Sequence, residues 1–476
     1  MIFFTLGQLL VLEAALFMLP LLVSLIYKEN TAVYFLLAAA IAAAAGGTLV
    51  LIFRKRNKVI YSKEGFAIVA LSWVALSAVG ALPFFLSGQI PSYVDAFFET
   101  VSGFTTTGAS ILTDIEALEH GMLFWRSFTH WIGGMGVLVF IMAIIPSVSD
   151  RSIHIIRAEV PGPIVGKLVP RAKDTARVLY LIYVVLTVIE TVFLLFGGMD
   201  LFESLIHSFG TAGTGGFGIK SDSLAGYSPY CQWVITAFMI VFGLNFNLYY
   251  LLLIRRVKSV VKNTEMWVYF AIIAASITAI SINIASMYSS VEETVRAAAF
   301  QATSIMSTSG FSTVDFNLWP GFSKAILLIL MFLGSCAGST AGGLKISRVI
   351  LLFKMCRNEL KHLISPKSVN SVRVDGKQVD AAVTKSASNY FILYIFCYGL
   401  IFLLLSFEPF SFETNFSATA ACFNNVGPGF DAVGPAASFA AYSPFSKLVL
   451  SFAMLLGRLE LFPMLLVFSP GLWRKK

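Results

Sequence analysis

The chain has 476 residues, of which 57% are hydrophobic and 13% are charged, and its mean hydropathy is +0.81. This composition excludes an ordinary soluble domain and is typical of a polytopic membrane protein. The formal net charge of +8 is compatible with an anionic partner such as nucleic acid, but the positions of the basic residues explain the surplus as membrane topology.

Apolar stretches of membrane-spanning length recur along the whole chain, and we count about ten of them. We interpret the first as a retained helix, because it has no basic segment in front of it and no small-residue cleavage site before Glu29 and Asn30. The stretches lie near residues 2–25, 33–53, 66–86, 123–145, 178–197, 230–254, 266–287, 322–353, 388–407 and 446–470.

The first two spans, within residues 1–60, precede four units with the same order of parts. Each unit has a span, a half-length stretch, a short glycine segment, a polar connection and a second span. The units cover residues 61–150, 151–262, 263–365 and 366–476. The half-length stretches are too short to cross a bilayer, so we predict re-entrant helices near 92–105, 200–213, 291–307 and 412–424.

A variant of one glycine pattern follows each half-length stretch, at intervals of about one hundred residues. Only glycine cheaply adopts the dihedral angles that aim a row of carbonyls at a desolvated cation, as in the TVGYG loops of potassium channels. Helix-packing glycines are the alternative, and any single copy is weak support. Four copies in register favour an ion pore. They are Thr106–Ser110, Thr214–Gly218, Thr308–Ser312 and Asn425–Gly429.

Acidic residues mark the beginning of each half-length stretch. They complement the positive end of a helix dipole and leave its negative end facing a cation, so simple capping and direct ion contact both remain open. The connections on the outer side of the membrane carry many acidic residues, which predicts a pore mouth that concentrates cations. The acids at the stretches are Asp95, Glu99, Asp200, Glu203, Glu292, Glu293 and Glu413.

Most of the 34 Lys and Arg residues fall in alternate connections, as the positive-inside rule requires for an even number of spans with both termini cytoplasmic. These segments also suit an acidic or nucleotide-binding regulator, although topology alone explains any one of them. They are Arg54–Lys63, Arg151–Arg177, Arg255–Lys262, Lys345–Lys385 and Arg474–Lys476.

The apolar stretch that begins near Phe322 is interrupted by small residues. It is too long for one span, so we predict an irregular loop that lines the permeation path, with a tolerated helix kink as the alternative. A nucleotide-binding loop is excluded, because the GxxxxGK spacing and a βαβ context are missing. The residues assigned to the loop are Gly334, Ser335, Gly338, Ser339, Thr340, Gly342, Gly343 and Lys345.

Arg458 lies near the middle of the last predicted span, where an unpaired charge is costly. We expect it to donate hydrogen bonds to carbonyls of the Gly334–Gly343 segment and to form an electrostatic barrier. A purely structural bond to the C-terminus of a half-helix is the alternative. Glu460 lies two residues away on another side of the helix, so we do not expect it to be the partner.

Enzymatic chemistry is not expected. The five cysteines are scattered and lack CxxC spacing, and the five histidines form no cluster with Asp or Glu, so neither a disulfide framework nor a metal centre is indicated. No nucleophile, base and orienting group stand together. We therefore expect no organic cofactor and no nucleic-acid partner.

The motifs resemble the Trk/Ktr/HKT superfamily of potassium transporters over nearly the whole chain, and the two extra N-terminal spans favour its TrkH-like and TrkG-like members over KtrB-like ones. The resemblance rests on Phe97–Gly108, Trp131–Gly136, Thr214–Phe217 and Asn424–Gly429. It implies an all-α membrane protein of four pseudo-symmetric repeats around one pore, with one glycine per repeat at a potassium-selective constriction. Because some relatives that favour sodium have Ser at the first position and this chain has Gly108, potassium is expected.

The resemblance also implies a gating loop at Gly334–Lys345, a TrkA-like cytosolic nucleotide-binding subunit, a homodimer and the bacterial inner membrane. A weakly selective sodium and potassium channel, and a symporter coupled to protons or sodium, remain as alternatives. The implied potassium contacts are Thr107, Gly108, Gly215, Gly216, Ser309, Gly310, Val426 and Gly427, and the filter adds Thr106, Thr214, Thr308 and Asn425.

Overall fold

The computed structural model describes residues 1–54, 62–136, 172–367 and 371–473. Regular structure in these ranges is almost entirely α-helical. Their only strands are β1 (Arg373–Val374) and β2 (Lys377–Gln378), an antiparallel pair with Arg373 opposite Gln378. The predicted all-α membrane class is therefore confirmed.

The helices of the described residues include the half-length elements that the sequence predicts. In chain order they are α1 (Ile2–Leu16), α2 (Met18–Ile26), α3 (Ala32–Ile52), α4 (Ser62–Gly80), α5 (Leu82–Leu86), α6 (Tyr93–Phe104), α7 (His120–Gly134), α8 (Ala172–Phe196), α9 (Leu201–Gly213), α10 (Pro229–Phe242), α11 (Phe246–Leu253), α12 (Val257–Val261), α13 (Thr264–Ile284), α14 (Val291–Met306), α15 (Gly321–Leu333), α16 (Ile346–Ile364), α17 (Ala381–Leu405), α18 (Phe412–Phe423), α19 (Pro444–Arg458), α20 (Phe462–Val467) and α21 (Pro470–Trp473).

Six segments of the described chain are long and apolar enough to cross a membrane, and the pair α10 and α11 makes a seventh if it is counted as one broken span. This is fewer than the ten predicted spans, because several of those are not continuous helices. The six are Ile2–Ile26, Ala32–Ile52, Glu64–Leu86, Arg177–Phe196, Thr264–Met287 and Ala381–Leu405.

The predicted span 230–254 bends by 87° between α10 and α11. Asn245 causes the break locally, since its side chain accepts a hydrogen bond from the Asn247 amide and caps α11. The interruption 334–345 is present as predicted, between α15 and α16.

The predicted span 446–470 is wrong as a single helix. It ends at Arg458, because Glu460 and Leu461 have positive φ angles of 56° and 63°, and α20 begins only at Phe462. The span predicted at 123–145 is helical to Gly134, and its residues from 137 onward lie outside the described residues.

Four short helices, α6, α9, α14 and α18, lie at the centre of the molecule and agree with the predicted half-length stretches to within about two residues. Each begins with a side-chain cap: Ser92, Asp200, Ser290 and Ser411 accept hydrogen bonds from an amide in the first turn. Acidic residues occupy each of these first turns, which supports the capping interpretation.

The second span of each repeat packs between two short helices. Helix α7 contacts α6 and α9, α10 contacts α9 and α14, α15 contacts α14 and α18, and α19 contacts α18 and α6. The contacts therefore close on themselves. Residue bounds of the repeats remain a prediction, since 55–61 and 137–171 lie outside the described residues.

Candidate functional site

Each short helix ends in the same backbone turn. One residue in each turn has a left-handed φ of 55° to 58°, and it lies one or two positions after the end of the helix. These residues are Thr106, Thr214, Thr308 and Asn425. The next amide then donates back into the last helical turn, as in a Schellman motif. These bonds are Thr107 to Ser102 (2.9 Å), Gly215 to Gly210 (2.8 Å), Ser309 to Ser304 (2.9 Å) and Val426 to Ala421 (2.8 Å).

A glycine with positive φ follows two residues after each of these turns, and only glycine fits there. A Cβ atom on Gly108 would lie 2.0 Å from the Gly215 carbonyl oxygen, and one on Gly216 would lie 1.9 Å from that of Ser309. The same construction on Gly310 gives 2.2 Å to Val426 O, and on Gly427 it gives 2.7 Å to Thr107 O. A side chain at any of the four is excluded by the neighbouring backbone.

These four approaches form a closed cycle. Every carbonyl involved belongs to the residue just before the glycine of the next repeat, and the fourth repeat returns to the first. We call this arrangement the glycine ring, made of Thr107–Gly108, Gly215–Gly216, Ser309–Gly310 and Val426–Gly427. A closed cycle of backbone oxygens is the type of arrangement that can replace the hydration shell of a cation.

A cavity of about 280 Å³ opens at the glycine ring and is lined by all four ring glycines. Among its described lining residues the ionisable ones are Arg126 and Lys220, both basic. Asp222 and Asp315 line an adjoining cavity of about 120 Å³ instead. The expectation of an acidic mouth is therefore not met at the cavity itself.

The acids of the short helices have protein partners. Asp95 is 2.7 Å from Lys447, Glu99 is 2.6 Å from Arg126, and Glu413 is 3.2 Å from Lys324. These distances favour pairing and capping over direct contact with an ion.

Some polar side chains at the turns are engaged within the protein, whereas the buried Thr106 Oγ1 and Asn425 Oδ1 atoms have no hydrogen-bond partner among the described residues. Thr214 Oγ1 donates to Gly213 O at 2.6 Å, and Asn425 Nδ2 donates to Thr107 Oγ1 and to Met454 O, both at 2.9 Å. These bonds stabilise the non-helical backbone. The atoms that the ring glycines approach are carbonyl oxygens of the next repeat.

The segment between α15 and α16, Gly334–Lys345, is here called the interrupting loop, and it contains every loop residue assigned from the sequence. Its two ends meet: the Leu344 amide donates to Phe332 O at 3.2 Å and the Lys345 amide to Leu333 O at 3.1 Å. A Cβ on Gly343 would lie 2.7 Å from Gly334 Cα, so small residues are required at this neck. The segment is a compact loop with closed ends.

The interrupting loop touches the glycine ring segments directly. The Gly342 amide donates to Thr308 Oγ1 at 2.7 Å, and a Cβ on Gly342 would lie 2.2 Å from Asn424 O. Ser335 Oγ donates to Met306 O at the end of α14, at 2.8 Å. The loop therefore packs against the turns that lead into the third and fourth segments of the ring.

Arg458 joins the interrupting loop to the first repeat. Its guanidinium donates to Thr340 O at 2.6 Å, and to Gly133 O at 2.5 Å and Gly134 O at 2.7 Å at the end of α7. The expected bond to the interrupting loop is present, whereas the bonds at Gly133 and Gly134 go to the end of the second span α7 and not to the end of a half-helix. Glu460 pairs with Arg348 instead of Arg458, in agreement with the expectation.

A TrkH family model, described as a cation transport protein, matches residues 32–272 and 264–475. The chain belongs to the TrkH family. This confirms the resemblance inferred from the glycine motifs, and it makes the chain an integral membrane transport protein, not an enzyme.

Individual TrkH family relatives align along nearly the entire chain. The Trk system potassium uptake protein TrkH of Escherichia coli K12 is 36% identical over 98% of both chains. The uptake protein TrkG of the same strain is 32% identical over 96% of this chain and 94% of its own. The crystal structure of the potassium transporter TrkH from Vibrio parahaemolyticus superposes with a TM-score of 0.90 at 32% identity, over 99% of each chain.

Sequence analysis missed a buried ion pair behind the first turn of the glycine ring. Arg126 Nε lies 2.6 Å from Glu99, whose carboxylate also accepts from Ser110 Oγ (2.9 Å) and the Ile111 amide (2.9 Å). Arg126 additionally donates to Gly218 O at 3.0 Å and covers the Phe217 ring. Arg126 falls within an apolar stretch, so the charge that singled out Arg458 was available as a signal here too.

His130 is a second residue that sequence analysis missed. One ring nitrogen lies 2.8 Å from Gly103 O at the end of α6, and its ring contacts Phe217 with centroids 4.2 Å apart. A Cβ on Gly215 would lie 2.3 Å from His130 Nδ1. The imidazole therefore fills the space between the first and second repeats, directly behind the glycine ring.

Three of the five basic segments lie mainly outside the described residues: Arg54–Lys63, Arg151–Arg177 and Arg474–Lys476. The described part of Lys345–Lys385 consists of α16, the β1–β2 hairpin and the beginning of α17. Lys354 on α16 donates to Arg373 O at 2.6 Å and joins the hairpin to the helix.

Proposed function

We propose that this chain takes up potassium ions through a pore whose selectivity filter is the glycine ring. The relatives described above are named as potassium uptake proteins or transporters, and the chain aligns with them over nearly its full length. The observation that carries the proposal is the cyclic approach of four glycines to four carbonyls. Backbone oxygens in that arrangement take the place of water around a dehydrated potassium ion.

The filter role is tested by rubidium and sodium uptake into proteoliposomes that contain the wild type or Gly108→Ser. A serine Cβ at position 108 has no room, since it would lie 2.0 Å from Gly215 O. We expect the variant to lose the preference for rubidium over sodium. An unchanged preference in correctly folded protein would show that Gly108 does not set selectivity, and similar sodium and rubidium uptake by the wild type would favour the weakly selective channel.

The interrupting loop is the proposed gate. The loop lies against the turns of the ring segments at Thr308 and Asn424. Arg458 donates to the Thr340 carbonyl of the loop. The positive charge of Arg458 near the permeation path repels cations. Arg458→Ala should therefore raise potassium flux in liposomes. Arg458→Lys is the matched control, because it keeps the charge but lacks the planar fork that reaches several carbonyls. Flux that is unchanged or lower in folded Arg458→Ala would reject the barrier.

We also propose that a cytosolic subunit regulates the pore. The basic connections suit docking of an acidic or nucleotide-binding cytosolic subunit of the TrkA type, with the membrane part as a homodimer in the bacterial inner membrane and both termini in the cytoplasm. Charge distribution supports this orientation. Co-purification with a candidate subunit, and its loss at high salt, tests the docking.

Proton-coupled symport is the second candidate, and two buried acids favour it. Glu190 of α8 is 0% exposed, and neither of its carboxylate oxygens has a hydrogen-bond partner among the described residues. Glu13 of α1 is 1% exposed and neither of its carboxylate oxygens has a hydrogen-bond partner among the described residues. An ionisable residue buried in a membrane in this way is a candidate for proton transfer. Flux that vanishes without an imposed proton gradient, and that Glu13→Gln uncouples from the gradient, would establish the symporter. Flux indifferent to the gradient supports the channel.

A further inference from the structure

Helix α16, which follows the interrupting loop, begins without a cap of its own. The preceding residue, Lys345, has a φ of 74° and makes no side-chain hydrogen bond to the first turn. The lysine instead donates its ammonium group to Ala341 O inside the loop. The Ile346 amide donates to Ser335 O at 3.1 Å, so the next amide of α16, that of Ser347, needs an acceptor from elsewhere in the molecule.

Glu265, in the first turn of α13, supplies that acceptor. Its Oε1 atom accepts from the Ser347 amide at 3.1 Å and from the Ala337 amide at 2.7 Å. Ser347 lies at the beginning of α16, and Ala337 lies within the interrupting loop. One buried carboxylate oxygen, on a residue that is 9% exposed, thus bonds the loop and the helix that the loop leads into.

The loop is consequently held by charged side chains of both signs. Arg458 donates to a loop carbonyl at Thr340, and Glu265 accepts from a loop amide at Ala337, three residues away. Hydrogen bonds with one ionised partner are roughly twice as strong as neutral ones. Arg348 of α16 also donates to Leu344 O of the loop at 3.3 Å, whereas backbone contacts such as Cys336 amide to Gly243 O at 3.1 Å are neutral.

We propose that Glu265 is a positioning residue that latches the interrupting loop in its closed position. This inference rests on the gating role proposed for the loop. To move away from the glycine ring, the loop must withdraw the Ala337 amide from the carboxylate, whereas the Ser347 amide stays with α16. Glu265 therefore remains bonded to the Ser347 amide of α16 while the loop detaches from it.

Cys336 provides a native reporter of this movement. It precedes Ala337 and is 1% exposed, so its thiol is protected while the loop is closed. We suggest a full-length chain in which the other four cysteines, Cys231, Cys356, Cys397 and Cys422, are replaced by serine. In proteoliposomes, the rate of labelling of Cys336 by a water-soluble methanethiosulfonate and the rubidium flux are measured on the same samples.

Glu265→Ala should increase the labelling rate of Cys336 severalfold and increase rubidium flux, and Glu265→Gln, which keeps a neutral acceptor, should give intermediate values. Asn263→Ala is the matched control. Asn263 caps the same helix by accepting from the Met266 amide at 2.8 Å but makes no bond to the loop, so its loss should change neither quantity. Glu265→Asp, which shortens the side chain by one methylene, replaces Glu265→Ala if the latter does not elute as a single species.

Two outcomes would overturn parts of this scheme and can be told apart. Unchanged labelling in folded Glu265→Ala and Glu265→Asp, or equal effects of Asn263→Ala, would reject the latch. Faster labelling without greater flux would leave the bond to Ala337 in place as a latch but would reject the loop as the gate.

Discussion

The glycine ring and the interrupting loop are both non-helical backbone at membrane depth, and both contain glycines with positive φ, yet they are held in different ways. Each segment of the ring is fixed by hydrogen bonds within its own helix turn and by the backbone of the next repeat. The loop is fixed largely by side chains and amides from distant helices, including Arg458, Glu265 and Thr308.

This difference indicates which of the two regions can move. The ring has four equivalent supports, so displacing one segment disturbs its neighbours in both directions. The loop is attached to separate helices by individual bonds, and its closed neck at Gly334 and Gly343 allows it to move as a unit. The difference is consistent with the proposal that the ring is a rigid filter and the loop a detachable gate.

The largest effect is expected from Gly216→Ala, which tests the rigidity of the ring. The new Cβ would lie 1.9 Å from Ser309 O, so that carbonyl must be displaced. The φ of 77° at this position adds a backbone strain of about 1–3 kcal/mol for a residue other than glycine. We expect rubidium flux to fall at least about tenfold and selectivity over sodium to be lost. Gly399→Ala, where a Cβ meets nothing within 4 Å, is the control. Retained selectivity in Gly216→Ala would mean that the ring yields as easily as the loop.

The opposite sign is expected for Gly342→Ala in the interrupting loop. Its Cβ would lie 2.2 Å from Asn424 O, a clash similar to that at Gly216. Because the loop can move away from the ring, the substitution should increase rubidium flux a fewfold without altering selectivity. A loss of flux like that of Gly216→Ala would contradict the proposed mobility of the loop.

A stability measurement compares a buried ion pair behind the ring with an exposed one. Removing one partner of the Arg126–Glu99 pair, by Arg126→Met, should lower the free energy of unfolding by about 3–5 kcal/mol, because it leaves a buried carboxylate unpaired. Lys324→Met in the Lys324–Glu413 pair should cost only about 0–1 kcal/mol, since those side chains are 28% and 52% exposed. Thermal unfolding in detergent provides the comparison. Equal losses would show that the Arg126 pair gives no special support to the ring.

The smallest effect is expected at Asp431, in the connection after the fourth ring segment. Hydrogen bonds from the Ser411 and Thr414 hydroxyls hold the pKa of Asp431 below its usual range. A carboxyl group whose pKa is lower in the folded state than in the unfolded state stabilises the fold when the pH is above the unfolded-state pKa. This stabilisation is lost as the pH falls through the folded-state pKa. The melting temperature of the wild type should exceed that of Asp431→Asn by at most about 2 °C near neutral pH, and the difference should vanish once the pH falls below the lowered pKa of Asp431. A difference that grows on acidification would contradict the assignment.

The elements that were predictable from the sequence are those with local causes. The short helices are recognisable from their caps, first-turn acids and length, and the turns after them from glycine spacing. The interruption at Gly334–Lys345 was visible as small residues in an overlong apolar stretch, and Arg458 as an isolated charge. The family resemblance followed from the same motifs.

Features that depend on residues far apart in the chain could not be predicted. The bend before α11 is completed by the Phe246 amide, which donates to Gly338 O at 3.0 Å, and the end of α19 coincides with the Glu460–Arg348 pair. Glu265 resembles an ordinary acid in a first helical turn, and nothing local indicates that it also bonds the interrupting loop. The cyclic order of the ring likewise exists only in three dimensions.

Closure of the glycine ring also has a consequence for biosynthesis. The bond from Asn425 to Thr107 joins residues 318 positions apart, and the contact of Gly427 with Thr107 spans a similar distance. A nascent chain whose first three repeats have entered the membrane therefore still lacks one quarter of the ring's wall. With the ring as the proposed filter, a selective path is complete only when the last repeat is inserted, so chains truncated before residue 425 should yield no selective uptake, whatever their expression level.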